Sequence, residues 1–90
     1  MFYVYVLKSE KDKRHYISCS TDLKLRYKEH CDGKVRATFY RRPLVLVYYE
    51  TYNSREIAQR RERQLKSGKD HMALIERLKI KKWVKTQDQV

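Results

Sequence analysis

The stretch Tyr16-Ile17-Ser18-Cys19-Ser20-Thr21-Asp22-Leu23-Lys24-Leu25-Arg26-Tyr27-Lys28-Glu29-His30 decides how this chain folds. It begins as a strand and turns into a helix. Tyr16-Ile17 is β-prone. Ser20 and Thr21 are good helix N-caps, and Asp22 suits a first helical turn, where a carboxylate meets the positive end of the helix dipole. In that helix Leu23, Arg26, Tyr27 and His30 fall on one face, because separations of three, four and seven residues are close to whole turns. Lys24, Lys28 and Glu29 point away. Arg26 and His30 therefore lie on the stripe that carries the apolar contacts. One reading is a satisfied core histidine with a snorkelling arginine. The other is a polar site against a sheet, with Tyr16 contributing. The segment by itself favours the first.

Upstream, Phe2-Tyr3-Val4-Tyr5-Val6-Leu7 is apolar or aromatic on both faces, which suits a strand covered on both sides. Lys8 to Arg14 is a charged loop without glycine, so a tight two-residue turn is not expected. His15 to Cys19 returns as the second strand of a hairpin. If cross-strand partners have residue numbers that sum to an odd value, Tyr5 and Tyr16 share one face. If the sum is even, they face apart. The sequence leaves both registers open.

Downstream, the helix ends near Cys31-Asp32-Gly33, with Gly33 as a left-handed cap. Lys34 to Arg42 is a polar, basic connection in which Lys34, Arg36, Arg41 and Arg42 surround Thr38, Phe39 and Tyr40. That interleaving fits a phosphate-tracking, base-stacking surface, and it equally fits a solvated loop, the more frequent outcome. Pro43 opens Leu44-Val45-Leu46-Val47-Tyr48-Tyr49, the strongest strand and the expected central one. Ser54 N-caps the next helix, with Glu56 in its first turn. Ile57, Ala58 and Leu65 define its buried stripe, with Arg61 inside the stripe and Glu62 on its flank. Glu62 reads either as the partner of Arg61 in a structural ion pair or as a carboxylate able to hold a divalent metal. Lys66-Ser67-Gly68-Lys69 ends this helix. Asp70 caps a third from His71 to about Leu78, with Met72, Leu74, Ile75 and Leu78 inward. Lys79 to Lys85 is basic around a lone Trp83 and either extends the helix or lies on the surface. Thr86 to Val90 is expected to fray.

Ninety residues make one small domain. The division expected is a folded domain over residues 1–80 and a basic tail over 81–90. The net charge of +11 points to a polyanionic partner, nucleic acid first and an anionic membrane surface second. No apolar run is long enough to span a membrane and no signal peptide opens the chain, so the reducing cytosol is the expected compartment. Cys19 and Cys31 lack metal-ligand spacing and are too few for a disulfide scaffold.

Taken together, these residues resemble the GIY-YIG nuclease superfamily, and more narrowly its small stand-alone single-domain members, mostly known as predicted endonucleases. Tyr3-Val4-Tyr5 holds the place of the first motif and Tyr16-Ile17-Ser18 that of the second. Arg26 and His30 match the family's helix, and Arg41-Arg42-Pro43-Leu44 looks like the small members' lead into the third strand. Glu62 within Ala58 to Gly68 matches the metal-binding glutamate. No single piece is specific, but all five in this order and spacing make a strong signal. Two motif glycines are replaced, by Tyr3 and Ser18. The asparagine found after the glutamate in better-studied members has no counterpart, since Asn53 is the chain's one asparagine.

The resemblance implies an α/β sandwich, a three-stranded antiparallel sheet flanked by helices in the order β-β-α-β-α-α. It implies phosphodiester hydrolysis in DNA, with RNA left open, using one divalent metal, Mg²⁺ or Mn²⁺, and no small-molecule cofactor. In that scheme Glu62 holds the metal and Arg26 clamps a phosphate oxygen. Tyr5 orients or deprotonates the attacking water, His30 assists as a proton acceptor, and Tyr16 contacts the nucleophile or the phosphate. All five are expected to converge on one face of the sheet. Arg41, Arg42, Lys66 and Lys69 are the expected nucleic-acid contacts. With no second domain to read sequence, cleavage is expected to be weakly specific. A non-catalytic nucleic-acid-binding module on the same fold, with Ser18 marking a decayed site, is the alternative. A small basic ribosome-associated protein ranks third, because it leaves the matched positions to chance. Oligomeric state is not written in the sequence.

Overall fold

The computed structural model describes residues 1–79. The expectations for the basic tail, Trp83 and the frayed end lie outside the described residues. The chain runs β1 (Phe2–Ser9), β2 (His15–Ser20), α1 (Leu23–Cys31), α2 (Arg36–Phe39), β3 (Leu44–Tyr52), α3 (Arg55–Leu65) and α4 (Gly68–Leu78). The fold is the expected three-stranded antiparallel sheet with flanking helices, with α2 as an added short helix inside the stretch read as a connection. Among the described residues no helix is long and apolar enough to cross a membrane.

The sheet order is β2-β1-β3, so β1 is central and β3 is an edge, the reverse of the expectation for β3. Burial gives the reason. Val4, Tyr5, Val6 and Leu7 of β1 are all fully buried, whereas Val45 and Tyr49 of β3 are exposed. A strand with apolar side chains on both faces is at home only where both faces are covered.

In the hairpin Tyr3 pairs with Ser20, Tyr5 with Ser18 and Leu7 with Tyr16, and each pair of numbers sums to 23, an odd value. Tyr5 and Tyr16 therefore share a face. That face carries Tyr5, Leu7 and Leu44, with Tyr16, Leu23, Tyr27 and Leu46 packed on them under α1. The opposite face carries Val4, Val6 and Ile17 against Ala58, Leu65 and Leu74 of α3 and α4. A bulge between Val6 and Leu7 shifts the β1–β3 register. As a result Leu46, opposite Leu7, and Tyr49, opposite Tyr5, both lie on the α1 face although three residues apart.

Local chemistry sets the helix ends. Asp22, expected within α1, is instead its N-cap and accepts from the Leu25 amide at 3.0 Å. Gly33 adopts φ +79, with its amide bonded to His30 O and the Lys34 amide to Glu29 O, the pair of bonds that closes a helix through a left-handed residue. Ser54 caps α3 as expected. α4 begins at Gly68 with Ser67 as N-cap, so Asp70 falls in its first turn rather than capping it. Ile57 is 46% exposed and Met72 70% exposed, against expectation. The buried positions of α3 are Ala58 and Leu65, seven apart, which leaves Ile57 on the flank of that stripe.

Arg61 pairs not with Glu62 but with Glu50 of β3, through bonds from Nε at 2.8 Å and Nη2 at 3.0 Å to the two carboxylate oxygens. The Tyr48 and Tyr52 hydroxyls donate to the same carboxylate. Burial by itself would raise the Glu50 pKa, but Arg61 and the two hydroxyls hold it below the usual range. This forked, largely desolvated pair ties α3 to β3. Glu50→Ala leaves a guanidinium only 29% exposed without its partner. It should lower unfolding stability by about 2 kcal/mol in urea titrations at neutral pH. A loss under about 0.5 kcal/mol would contradict this role for the pair.

Candidate active site

A chain of polar side chains runs through the α1 face of the core. The Tyr5 hydroxyl lies 2.9 Å from His30 Nε2, and His30 Nδ1 lies 2.7 Å from Thr38 Oγ1. Thr38 in turn donates to the Val35 carbonyl at 3.5 Å. A hydroxyl that donates to a carbonyl is left to accept from the ring, so we assign the Nδ1–H tautomer to His30. Nε2 is then the acceptor for Tyr5. Tyr5, His30 and Thr38 are each 0% exposed. The Tyr5 and Tyr16 rings meet the imidazole edge-on, with centroids 5.7 and 5.3 Å away. His30 is thus a fully satisfied core histidine, and it is also what two motif tyrosines rest against. Burial, with the positive field of Arg26, pushes its pKa below the ordinary value.

Burial raises the Tyr5 pKa, and hydrogen bonds from Arg26 and Ser18 pull it only part of the way back. Tyr5 is a neutral phenol at neutral pH. Ser18, in the place of the motif glycine, is the cross-strand partner of Tyr5. Its hydroxyl helps to lower the Tyr5 pKa.

Arg26, on the exposed flank of α1, keeps 38% of its side chain in solvent and pairs with Glu29 at 3.1 Å. It opens into a groove of about 450 Å³ along β2, walled by Cys19, Ser20 and Thr21 and closed on the far side by Arg55, Ala58 and Gln59 of α3. The Arg55 guanidinium sits 5.3 Å from the Phe2 ring centroid.

Glu62 does not share the face of Tyr5. It rides on α3, which Ala58 and Leu65 hold against Val4, Val6 and Ile17 on the opposite side of the sheet. The expectation of five residues on one face is corrected here: four stand under α1, and Glu62 stands across the edge strand β2. It lies one helical turn beyond Ala58, in contact with the Cys19 thiol, whose pKa burial and the Glu62 carboxylate push up to about 12. That thiol also donates to the Ala58 carbonyl at 3.6 Å. Lys66 Nζ lies 2.6 Å from Glu62, whose side chain is 21% exposed. Burial alone would raise the Glu62 pKa; the Cys19 thiol and Lys66 outweigh it and keep the carboxylate ionised. Glu62 thus offers one hard oxygen donor beside Cys19, a residue that walls that groove. Among the described residues no group of three His, Cys, Asp or Glu side chains gathers to hold a metal. Such a donor set suits an ion that keeps most of its shell as water and phosphate oxygen.

Three of the four expected nucleic-acid contacts are paired within the protein. Arg41 pairs with Asp12 at 3.0 Å in the β1–β2 turn, at the end of β2 away from the groove. Arg42 donates to the Phe39 carbonyl at 3.0 Å and lies 4.4 Å from the Phe39 ring centroid. It also closes over Gly33, where an added Cβ would come within 2.7 Å of Nη1. Both arginines pin the connection around α2. Lys66 belongs to Glu62, and Lys69 is exposed in the first turn of α4.

Reading the sequence missed Thr38, Cys19 and Arg55. Nothing local marks Thr38 or Cys19. Arg55 carried a signal: Arg55, Gln59 and Glu62, at separations of four and seven, line one stripe of α3.

This sheet, with a tyrosine-bearing hairpin backed by a histidine and an arginine from α1, defines a class, and comparison with known proteins names it. The family model described as "GIY-YIG catalytic domain" matches residues 1–74. A UPF0213 protein of Streptococcus pyogenes serotype M5 is 43% identical over 68 residues, covering 74% of this chain and 73% of that protein. Another from Staphylococcus haemolyticus is 41% identical over 66 residues, covering 72% and 79%. The solution NMR structure of a UPF0213 protein from Bacillus halodurans is similar at 34% identity and a TM-score of 0.53, covering 84% of each chain. The chain belongs to the GIY-YIG family. Among its members it is similar to the small UPF0213 proteins, and the domain is typically that of a nuclease.

The polar chain makes a spectroscopic prediction. Long-range ¹⁵N–¹H spectra should show Nδ1 of His30 protonated and Nε2 bare, with titration below the ordinary value of 6.5. Because the folded pKa is depressed, the stability from neutral His30 is complete above the unfolded value and is lost as pH falls through the folded one. His15, depressed by burial and by Lys8 and His71, acts in the same direction. The melting temperature should therefore fall on acidification from pH 7 to 5. An Nε2–H tautomer, or a His30 pKa at or above 6.5, would contradict the assignment.

Proposed function

We propose that this chain is a divalent-metal-dependent endonuclease that hydrolyses phosphodiester bonds in DNA with low sequence specificity. The observation that supports it most is the groove along β2 that Arg26 of α1 and Arg55 of α3 line together, with Glu62 of α3 in contact with the thiol of Cys19, one of its wall residues.

In this reading the scissile phosphate lies in the groove. The planar fork of Arg26 binds a phosphate oxygen, releasing Glu29, and Arg55 adds charge from α3. Glu62 would hold the metal once Lys66 turns to solvent. When bound, the metal supplies stabilisation of the charge that develops on the phosphate and the leaving oxygen. Tyr5 and His30 handle the proton. As the Tyr5 oxygen takes a proton from the attacking water, its own passes to Nε2 of His30, while Nδ1–H stays on Thr38. Arg26 disfavours a lasting imidazolium, so the proton returns from Nε2 to the Tyr5 oxygen, which passes its own to solvent water, while the leaving oxygen takes a proton from solvent and the pair is reset. Tyr16, half-buried beside the imidazole, faces the same space from β2.

A second reading, a binding module without chemistry, is favoured by one observation: Glu62 is already neutralised by Lys66. Cleavage assays separate the two. Plasmid and branched DNA should be cut with Mg²⁺ or Mn²⁺ and spared with EDTA. Glu62→Ala should abolish cutting while binding holds or tightens, because a carboxylate facing phosphate is gone. Its stability should change by less than about 1 kcal/mol, since Lys66 is half exposed. Arg26→Ala should lose cutting and affinity together. Tyr5→Phe should lower turnover and also cost about 1 kcal/mol of stability, because His30 Nε2 loses its donor. Affinity for duplex should fall steeply with salt, as counterion release predicts for a +11 domain. Metal-independent behaviour on every DNA, with full binding by wild type, would move the reading to the binding module.

A further inference from the structure

A second groove, unused so far, lies on the α1 side of the sheet. It has a volume of about 420 Å³ and is bounded by Tyr3, Tyr49, Leu46, Thr21, Asp22 and Lys24. The Tyr3 and Tyr49 rings meet edge-on with centroids 6.1 Å apart. Tyr49 is 53% exposed although it stands on the covered face of the sheet. The bulge that brings Leu46 to this face makes the groove floor apolar beside that ring. Asp22 is occupied as the N-cap of α1, so its carboxylate is tied to the Leu25 amide. Lys24 gives the rim a positive charge.

Thr21 walls this groove and also the one that holds Arg26 and Arg55. An anion-attracting concavity and an aromatic one therefore share a boundary at the end of β2. This is the pairing that single-stranded nucleic acid needs, charge along the backbone and a π-face for a base.

We infer that the Tyr3–Tyr49 groove takes an unpaired nucleobase next to the phosphate held beside Arg26, so that the chain acts on strands that are unpaired at the cleaved bond. The base stacks on Tyr49. Stacking uses a face of the base that neighbouring base pairs cover in a continuous duplex, so a paired base cannot supply it. Every base has such a face, so the subsite adds a demand for single-strandedness and none for sequence. The neighbouring phosphate rests on the nuclease reading; the base subsite stands on the aromatic groove itself.

Binding measured in EDTA keeps the two ideas apart, because no cleavage is required. Fluorescence anisotropy would be read for a labelled oligothymidylate and for a blunt duplex of equal length. Tyr49→Ala should weaken single-strand binding about tenfold and change duplex binding less than twofold. Tyr49→Trp should restore or exceed the wild-type single-strand affinity. Melting curves guard against misfolding, and the exposure of Tyr49 predicts an unchanged midpoint. Single-strand affinity within twofold of wild type in Tyr49→Ala, or equal losses on both probes, would overturn the inference. If wild type cuts no DNA with metal present, the nuclease reading falls while a tenfold Tyr49 effect still supports the base subsite. If cutting is intact and the Tyr49 effect is missing, only the base subsite falls.

Discussion

The hydrogen-bonded run from Tyr5 through His30 to Thr38 is what the rest of the structure depends on. Its three side chains come from the central strand, from α1 and from α2, and none is exposed. A buried donor or acceptor left unpaired costs about 1–3 kcal/mol, so each element is held by the need of the other two. The constraint weighs most on α1. Of the nine residues of that helix, the one fully buried is His30. Leu23 and Tyr27 pack on the sheet but are only partly buried. A histidine bonded at both nitrogens adds the fully buried anchor, seconded by the Tyr27 hydroxyl on the Leu44 carbonyl. Where α1 is held, Arg26 is held.

The second constraint is topological. With β2 at the edge of the sheet, helices on opposite faces are separated there by a single strand. Arg26 from one side shares a groove with Cys19 to Thr21, and Glu62 from the other meets the Cys19 thiol. Two glutamates on the α3 side divide the work by their partners. Glu50 has Arg61 and two tyrosine hydroxyls and is fixed. Glu62 has a flexible lysine and a weakly acidic thiol.

Much of this was legible in the sequence because it rests on local rules. Ser54 and Gly33 announced a helix start and a helix end, and the three, four and seven spacing placed Arg26 and His30 on one face of α1. The strand order was not legible, since the apolar content of β3 resembles that of a central strand and only pairing decides which strand is covered twice. The partner of Arg61 was not legible for the same reason: Glu62 is adjacent in sequence, whereas Glu50 is eleven residues away and is brought near by packing. Glu62 was singled out by the family resemblance, but its side of the sheet was not legible, because helical periodicity says nothing about which face a helix covers. Thr38 lay in a stretch that read as a basic loop. Its role depends on a four-residue helix, too short for any periodic signal.

The proposed nuclease site needs Glu62 and Arg26 to act together around the edge of β2. Paramagnetic broadening tests it directly. Substoichiometric Mn²⁺ added to ¹⁵N-labelled protein at neutral pH should selectively weaken the amide signals of Glu62, Ala58 and Cys19 to Thr21, with Arg26 affected across the edge strand. Asp12 and Glu50, which are taken by arginines elsewhere, should be spared. Broadening centred on those two carboxylates, or confined to α3 with β2 and Arg26 untouched, would contradict the account.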